Sequence, residues 1–138
     1  MAKNASSNQV FISYAREDDE PFVKRLYEDL INHDIRVWWD RKAMESRGRT
    51  FLQELRDAIE EVDRIIFVVG PKAVKSEYCR AELEHSLLFA KGVVPVLRLG
   101  EHSILPTELA KFHCPDFREP RPYDEALKEL LAKLAEPV

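Results

Sequence analysis

The sequence predicts an α/β protein: a doubly wound, three-layer sandwich around a five-stranded parallel sheet in the order 2-1-3-4-5. Short runs rich in valine and isoleucine alternate with longer segments in which apolar residues recur every three or four positions. This alternation of strands and helices favours a parallel sheet with both faces covered. Right-handed crossovers then favour the doubly wound topology and its strand order.

The first half of the chain is predicted to contain two strands and a helix between them. Residues 9–14 form a buried strand, and the acidic run after them begins the helix because carboxylates suit the positive end of its dipole. Pro21 fits the first turn of this helix, which ends at residues 32–34. Residues 35–39 form the second strand.

A long polar connection follows the second strand. Residues 40–50 are mostly polar or charged and contain one glycine, Gly48. These eleven residues exceed the usual length of about 2–6 for a connection in a compact α/β unit, so we interpret the segment as a functional loop. The apolar spacing over residues 51–59 predicts the next helix.

The second half is predicted to contain three strands and two helices. The strands cover residues 64–69, 93–97 and 111–117, of which the last has the weakest pattern. One helix follows the Gly70-Pro71 break and is closed by Lys91-Gly92. The closing helix covers residues 126–134.

Composition indicates one globular domain. The chain has 138 residues, of which 45% are hydrophobic and 33% charged, so residues 9–136 can bury a core, and residues 1–8 are predicted to be a flexible tail. No apolar run reaches the roughly 18 residues of a membrane span, and no signal peptide is evident. Two cysteines do not form a disulfide framework, so we expect a cytoplasmic protein. A net charge of −4 without a basic cluster argues against nucleic-acid binding.

Common phosphate and metal motifs are missing from the sequence. The first strand ends in Ser13-Tyr14-Ala15-Arg16, without the glycines of a dinucleotide fingerprint, and no P-loop occurs. The third strand ends in Val69-Gly70, where a phosphoacceptor receiver domain has an aspartate. The histidines are scattered, and the adjacent His113 and Cys114 point apart in a strand, so no metal site is predicted.

The segment over residues 76–84 is the strongest candidate for a functional site. It follows a buried strand and carries apolar residues spaced four apart: Cys79, Leu83 and Leu87. This pattern places Glu82 in the first turns of a helix, at the sheet edge where open α/β proteins bind ligands. Tyr78 lies four residues earlier and shares a helix face with Glu82.

Several segments, in this order, resemble the motifs of TIR (Toll/interleukin-1 receptor) domains. Residues 10–14, followed by acidic residues, resemble the first signature box. Residues 37–40 and the loop with Gly48 resemble the second strand and the BB loop. Residues 76–83 resemble the S-x-W-C-x-x-E-L motif of the NAD-consuming members, with Tyr78 in place of tryptophan.

The resemblance extends over roughly residues 9–135, because residues 93–96 and Leu105-Pro106 also fall where the family has its fourth strand and the following loop. It implies the flavodoxin-like fold, in agreement with the periodicity. Enzymatic members of the family cleave the nicotinamide–ribose bond of NAD⁺, and some cyclise the product. Other members scaffold signalling complexes through TIR–TIR contacts, and bacterial members often serve in antiphage defence.

The resemblance also implies residue roles. The catalytic glutamate falls on Glu82. Substrate contacts fall on five further residues: Ser13, Tyr14, Arg16, Trp39 and Tyr78. Contacts between subunits fall on the BB loop, at Arg41, Lys42, Ser46, Arg47 and Gly48. Many members have Pro-Gly in this loop where the chain has Ser46-Arg47-Gly48, so its assembly geometry is expected to differ.

These observations predict an NAD⁺ glycohydrolase or cyclase that is active when copies assemble, in bacterial immune or antiphage signalling. NAD⁺ is then the substrate, and no cofactor is expected. Glycoside hydrolysis normally uses two carboxylates, but the pyridinium of NAD⁺ departs as neutral nicotinamide without a general acid. One carboxylate can stabilise the charge that develops on the ribose. The alternative is a non-enzymatic adaptor. Expected partners are further copies of the chain and a fused or associated sensor module.

Overall fold

A computed structural model describes residues 9–38, 60–88 and 92–136. Within them, four parallel strands form one sheet in the order β2-β1-β3-β4. The strands are β1 (Gln9–Ser13), β2 (Arg36–Trp38), β3 (Arg64–Val69) and β4 (Gly92–Leu97). The helices are α1 (Arg16–Asn32), α2 (Glu77–Leu88) and α3 (Tyr123–Leu134), with 3-10 turns at Ala73–Lys75, His102–Ile104 and Thr107–Leu109. The predicted parallel α/β arrangement and the order of the first four strands are confirmed.

The predicted fifth strand is reduced to a single bridge. Within residues 111–117, only Asp116 pairs with β4, in parallel to Leu97. The Leu97 N–H donates to the Pro115 carbonyl at 3.0 Å, and the Phe117 N–H donates to the Leu97 carbonyl at 2.8 Å. Pro115 has no N–H and cannot extend the ladder. The segment therefore lies beside β4, on the side where the fifth strand was expected, but the count of five strands is not confirmed.

Two hydrophobic cores cover the two faces of the sheet. One core joins alternate strand residues such as Ile12, Ile66 and Val94 to α1 and α3. The other joins the intervening residues, such as Phe67 and Val69, to α2. Full burial of each large apolar side chain contributes about 1.5–3 kcal/mol. The two cores make the sheet the middle of three layers, as predicted.

Helix α1 contains a break near its start. Asp19 has non-helical angles, with φ −167° and ψ 76°. Its Oδ1 accepts the Phe22 N–H at 3.2 Å, so Asp19 caps the longer part of the helix and Pro21 stands in the first turn after it. The helix ends at Asn32, and Asp34 takes a positive φ of 64°. The sequence predicted this end and the position of Pro21.

Helix α3 is fastened to α1 near its start and to the sheet at its end. Near its start, the Tyr123 hydroxyl donates to Asp29 Oδ2 on α1 at 2.7 Å. At its end, the buried Arg64 donates from β3 to the carbonyls of Leu134 and Glu136. Desolvation lowers the pKa of Arg64 from its ordinary value, against the opposing effect of the Glu136 carboxylate.

Gly92 corrects one sequence prediction. It was expected to close the preceding helix, but it is the first residue of β4 and pairs with Arg64. A Cβ at Gly92 would lie 3.2 Å from Arg64 Cγ, so a residue without a side chain suits this close approach.

Several predictions lie outside the described residues. They are the tail at residues 1–8, the loop at residues 40–50 and the helix at residues 51–59. Among the helices that the structure describes, none combines the length and apolar character that a membrane span requires.

Candidate active site

The start of α2 is fixed by the serine that precedes it. Ser76 Oγ accepts the N–H of Cys79 at 3.2 Å, as an N-cap serine does with the third helical residue. Cys79 and Leu83 are buried in the core between α2 and the sheet. This register turns Glu82, one position before Leu83, towards the sheet as well.

Glu82 is buried and meets Ser13. Both residues are only 1% exposed, and Ser13 Oγ donates to Glu82 Oε1. A glutamate is almost never fully buried unless it is paired. A charge in a dry site also interacts much more strongly with its surroundings than one in water. The pair lies where β1 ends and α2 crosses it, at the carboxyl edge of the sheet.

Strand alternation separates the two neighbouring first-box residues. Ser13 points towards α2, whereas the buried Tyr14 belongs to the core with α1 and α3 and donates from its hydroxyl to Glu20 Oε2 at 3.1 Å. Of the two, Ser13 is therefore the residue whose side chain meets Glu82. The sequence predicted that Ser13 lies beside the site. Its contact with Glu82 depends on which face of β1 the Ser13 side chain takes.

Asp18 ties the start of α1 to the chain after β3, and the sequence did not predict this. Its carboxylate accepts the backbone N–H groups of Lys72 at 3.0 Å and Ala73 at 2.9 Å. Gly70 leaves room for it, since a Cβ at this position would lie 2.3 Å from Asp18 Oδ2. The segment that carries Ser13 is thus connected to the segment that leads into α2.

The remaining predicted site residues are placed only in part. Arg16 begins α1 and Tyr78 lies in the first turn of α2, but their side chains lie outside what the structure describes. Trp39 and the BB-loop residues lie wholly outside it: Arg41, Lys42, Ser46, Arg47 and Gly48. Their roles stay predictions. Within the described ranges, no group of three histidine, cysteine or acidic side chains is arranged to hold a metal ion.

Burial makes the Cys114 thiol a poor nucleophile. Cys79 is buried in the α2 core. Burial, together with the nearby Asp116, raises the pKa of Cys114 to about 12 from an ordinary value of 9.0.

At pH 8 we expect roughly a thousandfold less Cys114 thiolate than an ordinary thiol would give, and correspondingly slow alkylation by iodoacetamide. Protein unfolded in urea is the control. Equal alkylation rates in folded and unfolded protein would contradict this prediction.

Comparison with known families gives one extensive match. A family profile described as "TIR domain" matches residues 10–131. The chain is 32% identical over 84 residues to Toll-like receptor 6 of Bos taurus, a match that covers 59% of this chain and 10% of the receptor. It is 32% identical over 97 residues to NAD(+) hydrolase TcpA of Theionarchaea archaeon (strain DG-70-1), covering 70% of this chain and 27% of the relative. The chain therefore spans about a quarter or less of the length of these relatives.

A solved structure supports the same grouping. The TIR domain of the Toll-related receptor TRR-2 from Hydra magnipapillata superposes with a TM-score of 0.74 and 25% sequence identity. The superposition covers 92% of this chain and 98% of that domain.

Proposed function

The chain belongs to the TIR domain family, and on that premise we propose that it is an NAD⁺ hydrolase whose catalytic carboxylate is Glu82. The observation that carries the proposal is the burial of Glu82 against Ser13, at the edge of the sheet where open α/β proteins bind ligands. Similarity to a relative named NAD(+) hydrolase supports it. The products are nicotinamide and either ADP-ribose or a cyclic form of ADP-ribose.

In the proposed reaction, the bond between the ribose C1′ and the pyridinium nitrogen breaks. Its electron pair stays with nitrogen, so nicotinamide leaves neutral and needs no proton. Positive charge develops on the ribose, and the Glu82 carboxylate stabilises it at short range. Water then attacks C1′ and releases a proton to give ADP-ribose, or an internal nucleophile closes the ring of a cyclic product.

Ser13 has a positioning role in this proposal. Its hydrogen bond fixes one carboxylate oxygen of Glu82. A carboxylate can accept about four hydrogen bonds, so the donation from Ser13 is compatible with bonds from ribose hydroxyls. Tyr78, one turn before Glu82 on α2, is proposed to stack on a flat ring of the substrate, and Arg16 to contact its phosphates.

We further propose that activity depends on self-assembly through TIR–TIR contacts, including the BB loop. The expected setting is the cytoplasm, in immune or antiphage signalling, on the strength of the sequence resemblance and of the two free cysteines. A fused or associated sensor would trigger the assembly.

Release of nicotinamide tests the proposal. Concentrated protein, and protein clustered on beads, should release free nicotinamide from NAD⁺ at rates well above those of the same amount of dilute protein. Chromatography of the reaction separates nicotinamide from linear and cyclic ADP-ribose. Absence of nicotinamide in every clustered sample would refute the enzymatic proposal.

The second candidate function is a non-enzymatic adaptor. The adaptor function is favoured by similarity to a protein named Toll-like receptor 6, which matches 59% of this chain. An adaptor would bind other TIR domains through the same contacts and leave NAD⁺ intact. Clustered protein that captures a second TIR domain but releases no nicotinamide would favour this function.

A further inference from the structure

A cavity lies at the carboxyl end of the sheet, on the side of α1 and α3. It has a volume of about 330 Å³ and is lined by residues of α1, by Arg98 just after β4, and by residues at and before the start of α3. Glu82 and Ser13 are not among its lining residues. Carboxyl edges of open α/β sheets are common places for ligands, and this cavity occupies the face opposite α2.

Three aromatic rings form one wall of this cavity. Phe22 and Phe117 pack edge to face with centroids 5.3 Å apart, and Tyr123 lies 5.7 Å from Phe117 and 6.2 Å from Phe22. Two guanidinium groups rest on this wall. Arg98 lies 4.6 Å above the Phe22 centroid, and Arg25 lies 3.6 Å above that of Tyr123. The rings therefore hold these guanidinium groups in place before any ligand binds.

The guanidinium of Arg98 has donor capacity that the protein does not use. Its Nε donates to Asp19 Oδ2 at 2.9 Å and its Nη1 to the Phe117 carbonyl at 2.8 Å. Its Nη2 is 3.9 Å from Glu119 Oε2, beyond hydrogen-bond distance. Since Glu119 is 85% exposed, this contact is weak and easily displaced.

The guanidinium groups of Arg121 and Arg25 also have N–H donors that remain for a ligand. Nη1 of Arg121 donates to Glu129 Oε1 at 2.9 Å and to the Asp116 carbonyl at 3.2 Å, while its Nε stays 3.9 Å from Glu125. Arg25 stacks on the Tyr123 ring, and no carboxylate of the described part of the chain forms a salt bridge with it. A guanidinium carries five N–H donors, so each of the three retains some.

The charge of the lining matches an anion. Three arginines stand against two carboxylates, Asp19 and Glu119, which gives the lining a charge of +1 in a chain of net charge −4. Several guanidinium groups with spare donors suit a tetrahedral oxyanion, because its oxygens can each take charge-assisted hydrogen bonds. We infer that this cavity binds the phosphate of a small phosphomonoester or free phosphate. This inference is independent of the proposed NAD⁺ hydrolysis.

Titration of the protein with inorganic phosphate and, separately, with AMP tests the inference. Amide chemical shifts are followed by nuclear magnetic resonance at constant ionic strength, up to about 10 mM of each probe. We expect saturable shifts around Phe22, Arg98 and Tyr123. Tighter binding of AMP identifies a nucleotide as the source of the phosphate, and equal binding identifies free phosphate.

Three variants sharpen the experiment. Arg25→Gln and Arg121→Gln should each weaken binding about tenfold, as loss of one charge-assisted contact does. Lys24→Gln removes the same charge from an exposed neighbour on α1 outside the cavity, and should leave affinity unchanged. The inference is overturned if neither probe gives saturable shifts, if the shifts are confined to Ser13 and Glu82, or if Lys24→Gln weakens binding as much as Arg25→Gln.

Discussion

Replacing Glu82 with glutamine is expected to lower NAD⁺ cleavage by clustered protein at least about a hundredfold. Glutamine keeps the size of the side chain and its capacity to hydrogen-bond with Ser13, but it removes the negative charge. In the proposed mechanism, the charge that develops on the ribose then loses its stabilising carboxylate, and loss of one such group typically costs a factor of about 10² to 10³. Initial rates of nicotinamide release, measured at equal clustering, give the comparison.

Glu84→Gln is the matched control for this variant. Glu84 lies two residues later on α2, is exposed, and pairs at 3.6 Å with Arg80. The same change of charge on the same helix should leave turnover within about twofold of the parent, since exposed ion pairs contribute little. Unchanged turnover in Glu82→Gln, with both variants folded and clustered alike, would remove Glu82 from the mechanism.

Gly70→Ala is expected to destabilise the fold by about 1–3 kcal/mol. The new methyl group would lie 2.3 Å from Asp18 Oδ2, so the carboxylate has to leave the N–H groups of Lys72 and Ala73. Hydrogen bonds to a charged group are worth roughly 1.5–3 kcal/mol each, and partial exposure at Lys72 lowers the sum. Denaturant unfolding followed by circular dichroism measures the change as a shift of the midpoint.

A double-mutant cycle separates this clash from an ordinary glycine effect. Asp18→Ala alone should also destabilise the protein, because two N–H groups lose their acceptor. In the Asp18→Ala background, the added Gly70→Ala change should cost less than about 0.5 kcal/mol, since the colliding carboxylate is gone. Equal cost of Gly70→Ala in both backgrounds would show that Asp18 is not the reason for the glycine.

Most of the sheet was predictable because β1, β3 and β4 are buried on both faces. Such strands appear in the sequence as continuous apolar runs. In β3 (Arg64–Val69), every residue after Arg64 is apolar. The length of the fifth strand was overestimated because the apolar content of a segment does not show which of its residues have a backbone N–H to donate to the neighbouring strand. Pro115 has no N–H, so the segment beside β4 forms a bridge instead of a ladder.

The place of Glu82 in the first turns of α2 was predictable, but its contacts were not. Helical spacing together with the preceding strand indicated Glu82. Its contact with Ser13 joins residues 69 positions apart and depends on which face of β1 each side chain takes. The ion pair of Arg98 with Asp19 joins residues 79 positions apart, and no local pattern signals it. Local periodicity identifies elements, whereas pairings at such separations follow only from their assembly.

The anchorage of α3 by Arg64 has a mechanical consequence. Arg64 is the first residue of β3, an inner strand. It donates hydrogen bonds to the carbonyl of Leu134, at the end of α3, and to that of Glu136, just beyond the helix. A pull on the carboxyl end of α3 is therefore expected to reach the middle of the sheet through these two hydrogen bonds. Tension applied at this end loads the same strand that leads, through Gly70, to the helix bearing Glu82.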